Sequence, residues 1–139
     1  MTAININDIE TEAPEDGDRL GNMFARQAEL EDIYEPIEAA NGFPRPTSTN
    51  LDDYSLQRAI KDFAYRTIEE IAEATNCLKN KPWKQSPVLT DRQHFLEEIA
   101  DAWHFWIQLN RLAGLTSEDV HKLYFKKSEV NKFRQESKY

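Results

Sequence analysis

Two short runs of the chain hold carboxylates at matching intervals: Arg66-Thr67-Ile68-Glu69-Glu70-Ile71-Ala72-Glu73 and Phe95-Leu96-Glu97-Glu98-Ile99-Ala100-Asp101. Glu70 and Glu73 stand three apart, as do Glu98 and Asp101, a spacing that puts both members of each pair on one helix face. Each pair is interleaved with apolar residues, so an antiparallel pairing of two helices can bring all four carboxylates together. Four ionised carboxylates in one pocket repel and lose hydration. Divalent cations relieve both costs. Hard oxygen donors select magnesium, with manganese as a substitute, and the chain lacks the Cys/His spacing of a zinc site. Glu69, one residue before Glu70, is the candidate general base toward a water that such a cation acidifies. Glu97 reads as surface. The competing reading is a pair of solvated helix faces.

A second pattern lies at the C-terminus. Lys127, Asn131 and Arg134 fall at i, i+4 and i+7, with Tyr124 a turn earlier, so one helix face offers two cations and an amide to oligophosphate oxygens. An ordinary solvated amphipathic helix packed through Leu123, Val130 and Phe133 is the alternative. A carboxylate nest and a cationic stripe together suggest a nucleoside triphosphate enzyme. With no Walker loop in the sequence, attack by metal-activated water is the expected chemistry.

The 139 residues fit one domain, and 25 acids against 17 bases give a net charge of -8. Residues 1–18 carry six acids and no base and read as an acidic, mobile arm. Residues 19–139 form the single helical domain. The acidic balance argues against sequence-independent nucleic-acid binding. No apolar run spans a membrane and the N-terminus does not read as a secretory signal, so a cytoplasmic location is expected. Cys77 stands alone and reads as an inert small residue. His94, His104 and His121 are too scattered to form a metal set, and His104 reads as a packed bundle residue.

The positioning elements follow from the breakers. Asn41-Gly42-Phe43-Pro44-Arg45-Pro46, Lys81-Pro82-Trp83 with Ser86-Pro87, and Ala113-Gly114-Leu115-Thr116-Ser117 mark three loops. Between them lie a first helix over Arg19–Ala40, bent or ended near Pro36, and a second within residues 51–79. A third starts at Thr90-Asp91 and stops at Gly114, and a fourth is capped by Thr116 or Ser117. The second helix is expected to bury Ile60, Phe63, Ala64, Ile68, Ile71 and Ala72; the third, Phe95, Ile99, Ala102, Trp103, Trp106, Leu109 and Leu112. Trp103 and Trp106 are expected as core or subunit-interface anchors. The fold class is all-α, a four-helix-bundle-like architecture.

On the motifs Glu69-Glu70-x-x-Glu73, Trp83-Lys84, Glu98-x-x-Asp101 followed by Trp103-His104-Phe105, and Tyr124-x-x-Lys127-x-x-x-Asn131-x-x-Arg134-Gln135-x-x-x-Tyr139, the chain resembles the all-α NTP pyrophosphatases. That superfamily includes the dimeric dUTPases, the phage dCTPase/dUTPases and the MazG-type enzymes. The resemblance covers residues 19–139. It implies magnesium-dependent hydrolysis between the α- and β-phosphates of a pyrimidine deoxynucleotide (dUTP or dCTP), giving the monophosphate and pyrophosphate, by a homo-oligomer (dimer or tetramer). Carried over, Glu70, Glu73, Glu98 and Asp101 hold the metal and Glu69 orients or deprotonates the water. Lys127, Asn131 and Arg134 contact phosphates and sugar, Tyr139 closes the site, and Trp83 and Lys84 lie over the nucleotide. Gln27 matches the family's base-holding Gln. Glu31 stands where an Asn is expected, which would favour a donor-rich base edge such as cytosine or guanine; the alternative is an exposed Glu31 and a structural Gln27. The rival readings are a MazG-like hydrolase of a purine deoxynucleotide such as dGTP, and a non-catalytic helical adaptor.

Overall fold

The computed structural model describes residues 5–138; Tyr139 lies outside them. Among the described residues the chain is helical with no strand. A short 3-10 turn at Ile6–Asp8 precedes α1 (Arg19–Ala40), α2 (Tyr54–Asn76), α3 (Arg92–Leu112) and α4 (Ser117–Glu136). Among the described residues no helix is long and apolar enough to cross a membrane.

Local chemistry sets the helix ends. Asp53 caps α2 by accepting from the Leu56 N–H at 3.1 Å, and Asp91 caps α3 by accepting from the His94 N–H at 3.2 Å. Thr116 and Asp119 exchange side-chain and backbone bonds at the start of α4, a capping box. Gly114 turns the chain between α3 and α4 at φ +80, a backbone conformation that costs glycine little. Pro36 sits inside α1, which runs on to Ala40 without a break in its assignment.

The α2–α3 hairpin is the structural centre. Phe63 meets Phe105 with ring centroids 6.2 Å apart, while Glu70 and Glu73 meet Glu98, so residue numbers fall on one helix as they rise on the other: the pair is antiparallel. The buried set on α2 is Leu56, Phe63, Thr67 and Ala74, with Cys77 beyond its end and Glu70 half-buried between them. This corrects the expected stripe. Ile68 and Ile71 are 59% and 47% exposed. The seam has rotated by about one residue toward Thr67 and Glu70, which carries a carboxylate inward and leaves the isoleucines outside.

α1 runs alongside α3 in the same direction. Gln27 Nε2 donates to Gln108 Oε1 at 3.1 Å, and Arg111 Nε donates to Glu31 Oε2 at 2.8 Å, so both numbers rise together. Phe24, Gln27 and Glu31 form the buried face of α1. Glu38, near its end, is flanked by Arg45 at 3.7 Å and Arg66 at 3.6 Å, which ties the following loop to α2.

Two other expectations are corrected. α4 buries no residue, so the architecture is a three-helix core with an outlying fourth helix rather than a closed bundle. Trp103 and Trp106, at 50% and 46% exposure, are not core anchors, which leaves the subunit-interface half of that expectation standing. The total accessible surface is 11483 Å². A compact monomer of 16.2 kDa exposes about 7,500 Å². The surplus includes apolar side chains on three helices: Tyr65, Ile68 and Ile71 on α2, Trp103 and Trp106 on α3, and Leu123, Val130 and Phe133 on α4.

Candidate metal centre

The α2–α3 seam brings Glu70, Glu73 and Glu98 together, with one carboxylate oxygen of each inside a 4.8 Å cluster. The i, i+3 step on α2 supplies two of the groups and the antiparallel register supplies the third. Glu98 is 8% exposed, Glu70 is half-buried and Glu73 opens to solvent. Asp101, one turn along α3, is outside the cluster but close enough to raise the proton affinity of Glu70. Glu69 is exposed and also lies outside it.

The electrostatics follow from the crowding. The Glu70 carboxyl is pushed up to about 8, first by its hydrogen bond with Glu98, then by burial, then by the charges of Glu98, Glu73 and Asp101. Glu73 is also raised, chiefly by its hydrogen bond with Glu98. Asp101 is raised by burial and then by the charge of Glu98. Glu98 is held below its ordinary value, because Glu70 donates a proton to it. The cluster is therefore built to share a proton or to receive a cation. Apart from the proton that Glu70 and Glu98 share, Glu70 Oε2 and Glu98 Oε2 are buried without a hydrogen-bond donor. Two orphaned hard oxygens beside a third carboxylate fit magnesium or manganese.

A prediction follows from these signs. Between about 4.5 and about 8 the folded chain holds on Glu70 a proton that the unfolded chain has released. The metal-free fold thus loses stability as pH rises through that window. The depressed Glu98 acts with the opposite sign, but only below its ordinary value of 4.5, so it does not cancel the trend. A cation that replaces the shared proton stabilises most at high pH. Melting in EDTA should fall from about pH 6 to about pH 8, and the increment from added magnesium should grow over the same range. An increment that is equal at both pH values contradicts the assignment.

The remaining candidate residues lie in three places. Gln27 lines a groove of about 910 Å³ with Arg19, Asn22, Arg26, Trp103 and His104, on the α1 side of α3. Residues 11–15 of the acidic arm close one wall, where Glu12 pairs with Arg26 at 3.4 Å. His104, expected to be packed, is exposed, and its Nδ1 lies 2.7 Å from the Ala100 carbonyl. Glu31 is 8% exposed and its carboxylate is committed to Arg111, so its geometry is that of an α1–α3 ion pair rather than a group facing a base.

Lys127 and Asn131 line a groove of about 490 Å³ between α3 and α4, with Trp106, Asn110, Tyr124 and Ser128. Arg134 follows on the exposed surface of α4. Asn110 is twelve residues beyond Glu98, about 18 Å along the axis of α3. Within one chain the structure does not bring this groove to the carboxylates. Trp83 and Lys84 sit on the exposed loop that joins α2 to α3, with Lys81 Nζ 5.4 Å from the Trp83 ring.

Two contributions escaped sequence reasoning. His94 Nε2 lies 2.8 Å from Glu98 Oε1, and Arg111 neutralises Glu31. The i, i+4 spacing of His94 and Glu98 was the available signal for the first; the second joins residues 80 apart and left no local trace. No family model, no curated protein and no solved structure matches the chain.

Proposed function

We propose that the protein is a magnesium-dependent deoxynucleoside triphosphate pyrophosphohydrolase, with a pyrimidine nucleotide (dUTP or dCTP) as leading substrate. The observation that carries this reading is the Glu70–Glu73–Glu98 cluster with its two buried oxygens, which have no donor from outside the cluster. Glu70, Glu73 and Glu98, with Asp101 adjacent, would hold magnesium. When bound, it supplies neutralisation of phosphate charge and a lowered pKa for water. Glu69 accepts the proton of the attacking water. The water oxygen adds to the α-phosphorus, the bond to the bridging oxygen of the β-phosphate breaks, and monophosphate and pyrophosphate separate.

The grooves divide the rest of the substrate. The half-exposed Trp103 offers a ring to a base, with Arg19 and Arg26 on the same wall, while Gln27 lies beneath it with its amide bonded to Gln108. The groove of Lys127 and Asn131 stands about 18 Å from the carboxylates within one chain, so Lys127, Asn131 and Arg134 would donate to phosphate and sugar oxygens only at a cleft that a second copy completes, with Trp83 and Lys84 over the nucleotide. The surplus apolar surface supports a homo-oligomer in which a second copy covers the exposed faces of α2 and α4 and completes the cleft.

The test is pyrophosphate release from the four ribo- and four deoxynucleoside triphosphates, with magnesium, manganese or EDTA. The expected result is metal-dependent release from a pyrimidine deoxynucleotide by a species of at least twice 16.2 kDa in sedimentation equilibrium. A monomer that cleaves none of the eight sinks the reading and favours a non-catalytic helical adaptor.

A further inference from the structure

We propose that His94 is a positioning residue that fixes the Glu98 carboxylate, so that one oxygen is held by the imidazole and the other is left for a cation. The proposal rests on reading the carboxylate cluster as a divalent-cation site. Three observations carry it. Glu98 is 8% exposed, and Glu70 and Glu73, its neighbours across the seam, are both acidic. Among the described residues, His94 is the one non-acidic side chain that hydrogen-bonds it, with Nε2 at 2.8 Å from Oε1. The second oxygen, Oε2, is buried with no donor from outside the carboxylate cluster. An i, i+4 His–Glu pair on an open helix surface is ordinary. Here the acceptor is buried and half satisfied, and the unsatisfied half belongs to the cluster.

His94 is itself held. Asp91 caps α3 through the His94 backbone N–H at 3.2 Å, which fixes the first turn from which the ring projects. Asp91 Oδ2 stands 3.9 Å from Nδ1, an electrostatic neighbour beyond hydrogen-bond length. A neutral ring with its hydrogen on Nε2 suffices for the bond to Glu98, so no change of protonation is invoked. His94 is not a member of the cluster whose donor atoms converge, so its role is to orient a ligand rather than to be one. Partners that orient a ligating side chain in this way set metal affinity by about 10–100-fold.

The test uses Mn²⁺ as the probe, with free Mn²⁺ read by electron paramagnetic resonance on the full chain at one fixed pH. His94→Ala and His94→Leu remove the donor; His94→Gln keeps an N–H able to reach Glu98; Glu98→Gln controls for the site itself. Because His94 is exposed, at least one donorless variant should keep wild-type helicity. The donorless variants should bind Mn²⁺ about 10–100-fold more weakly, and His94→Gln should recover to within about 3-fold of wild type. Wild-type affinity in a folded donorless variant, or equal losses in His94→Gln and His94→Ala, overturns the positioning role. Wild-type affinity in Glu98→Gln overturns the cation site instead, which separates the two failures.

Discussion

Glu98→Gln should abolish nucleotide hydrolysis, lowering kcat by on the order of 10³-fold or more, while leaving the helices intact. Glu98 is the group on which the cluster depends: it alone comes from α3, and it touches both Glu70 and Glu73. The amide keeps the volume and can still accept from His94, but it removes the charge that attracts a divalent cation. Helix stability should change by only about 1 kcal/mol, because the amide oxygen still accepts from Glu70 and His94, and these two weaker bonds are the main loss. Circular dichroism with steady-state kinetics checks this. Retained turnover, or a collapsed fold, would show that Glu98 serves architecture rather than chemistry.

Phe63→Ala should cost about 3–5 kcal/mol of folding stability and, with it, most of the cation affinity. Phe63 is 4% exposed, its ring centroid is 6.2 Å from that of Phe105, and the Arg66 guanidinium covers it at 4.4 Å. The cavity would open in the α2–α3 seam two turns from Glu70. Little else can absorb it, since among the described residues the seven buried hydrophobic residues are nearly matched by six buried polar ones. Urea unfolding of the metal-free protein gives the stability, and a Mn²⁺ titration gives the coupling. A loss below about 1 kcal/mol would mean that the seam is held by something other than this aromatic contact.

The helices were legible in the sequence because their ends are written in local chemistry. Asp91, Thr116 and Gly114 act at the positions that capping and turn rules assign to them. The face of α2 was legible only at Phe63, which the expected stripe contained and the seam buries. Ile60, Ala64, Ile68 and Ile71 make one apolar stripe and Leu56, Phe63, Thr67 and Ala74 another, and only the partner helix decides which turns inward. α3 chose the stripe that contains Glu70. The exposed tryptophans have the same cause, since an aromatic residue reads alike whether it meets its own core or a second copy.

The carboxylate pairs were visible as spacing, yet the inclusion of Glu98 and the exclusion of Asp101 depend on the crossing of two helices, which one strand of text does not carry. Gln27 and Glu31 stand out in the sequence, but the bond of Gln27 to Gln108 and that of Glu31 to Arg111 do not. Both links are long-range. The base preference inferred from Glu31 weakens accordingly, because a carboxylate already bound to a guanidinium offers a base little.

The central claim is attack by water on the α-phosphorus at a carboxylate-held cation. Hydrolysis of dUTP or dCTP in ¹⁸O-labelled water with magnesium tests it most directly, with products resolved by mass spectrometry. One labelled oxygen in the nucleoside monophosphate, unlabelled pyrophosphate, and no reaction in EDTA or with Glu70→Ala are the expected results. Label in pyrophosphate, release of single phosphates, or hydrolysis that survives EDTA would contradict it.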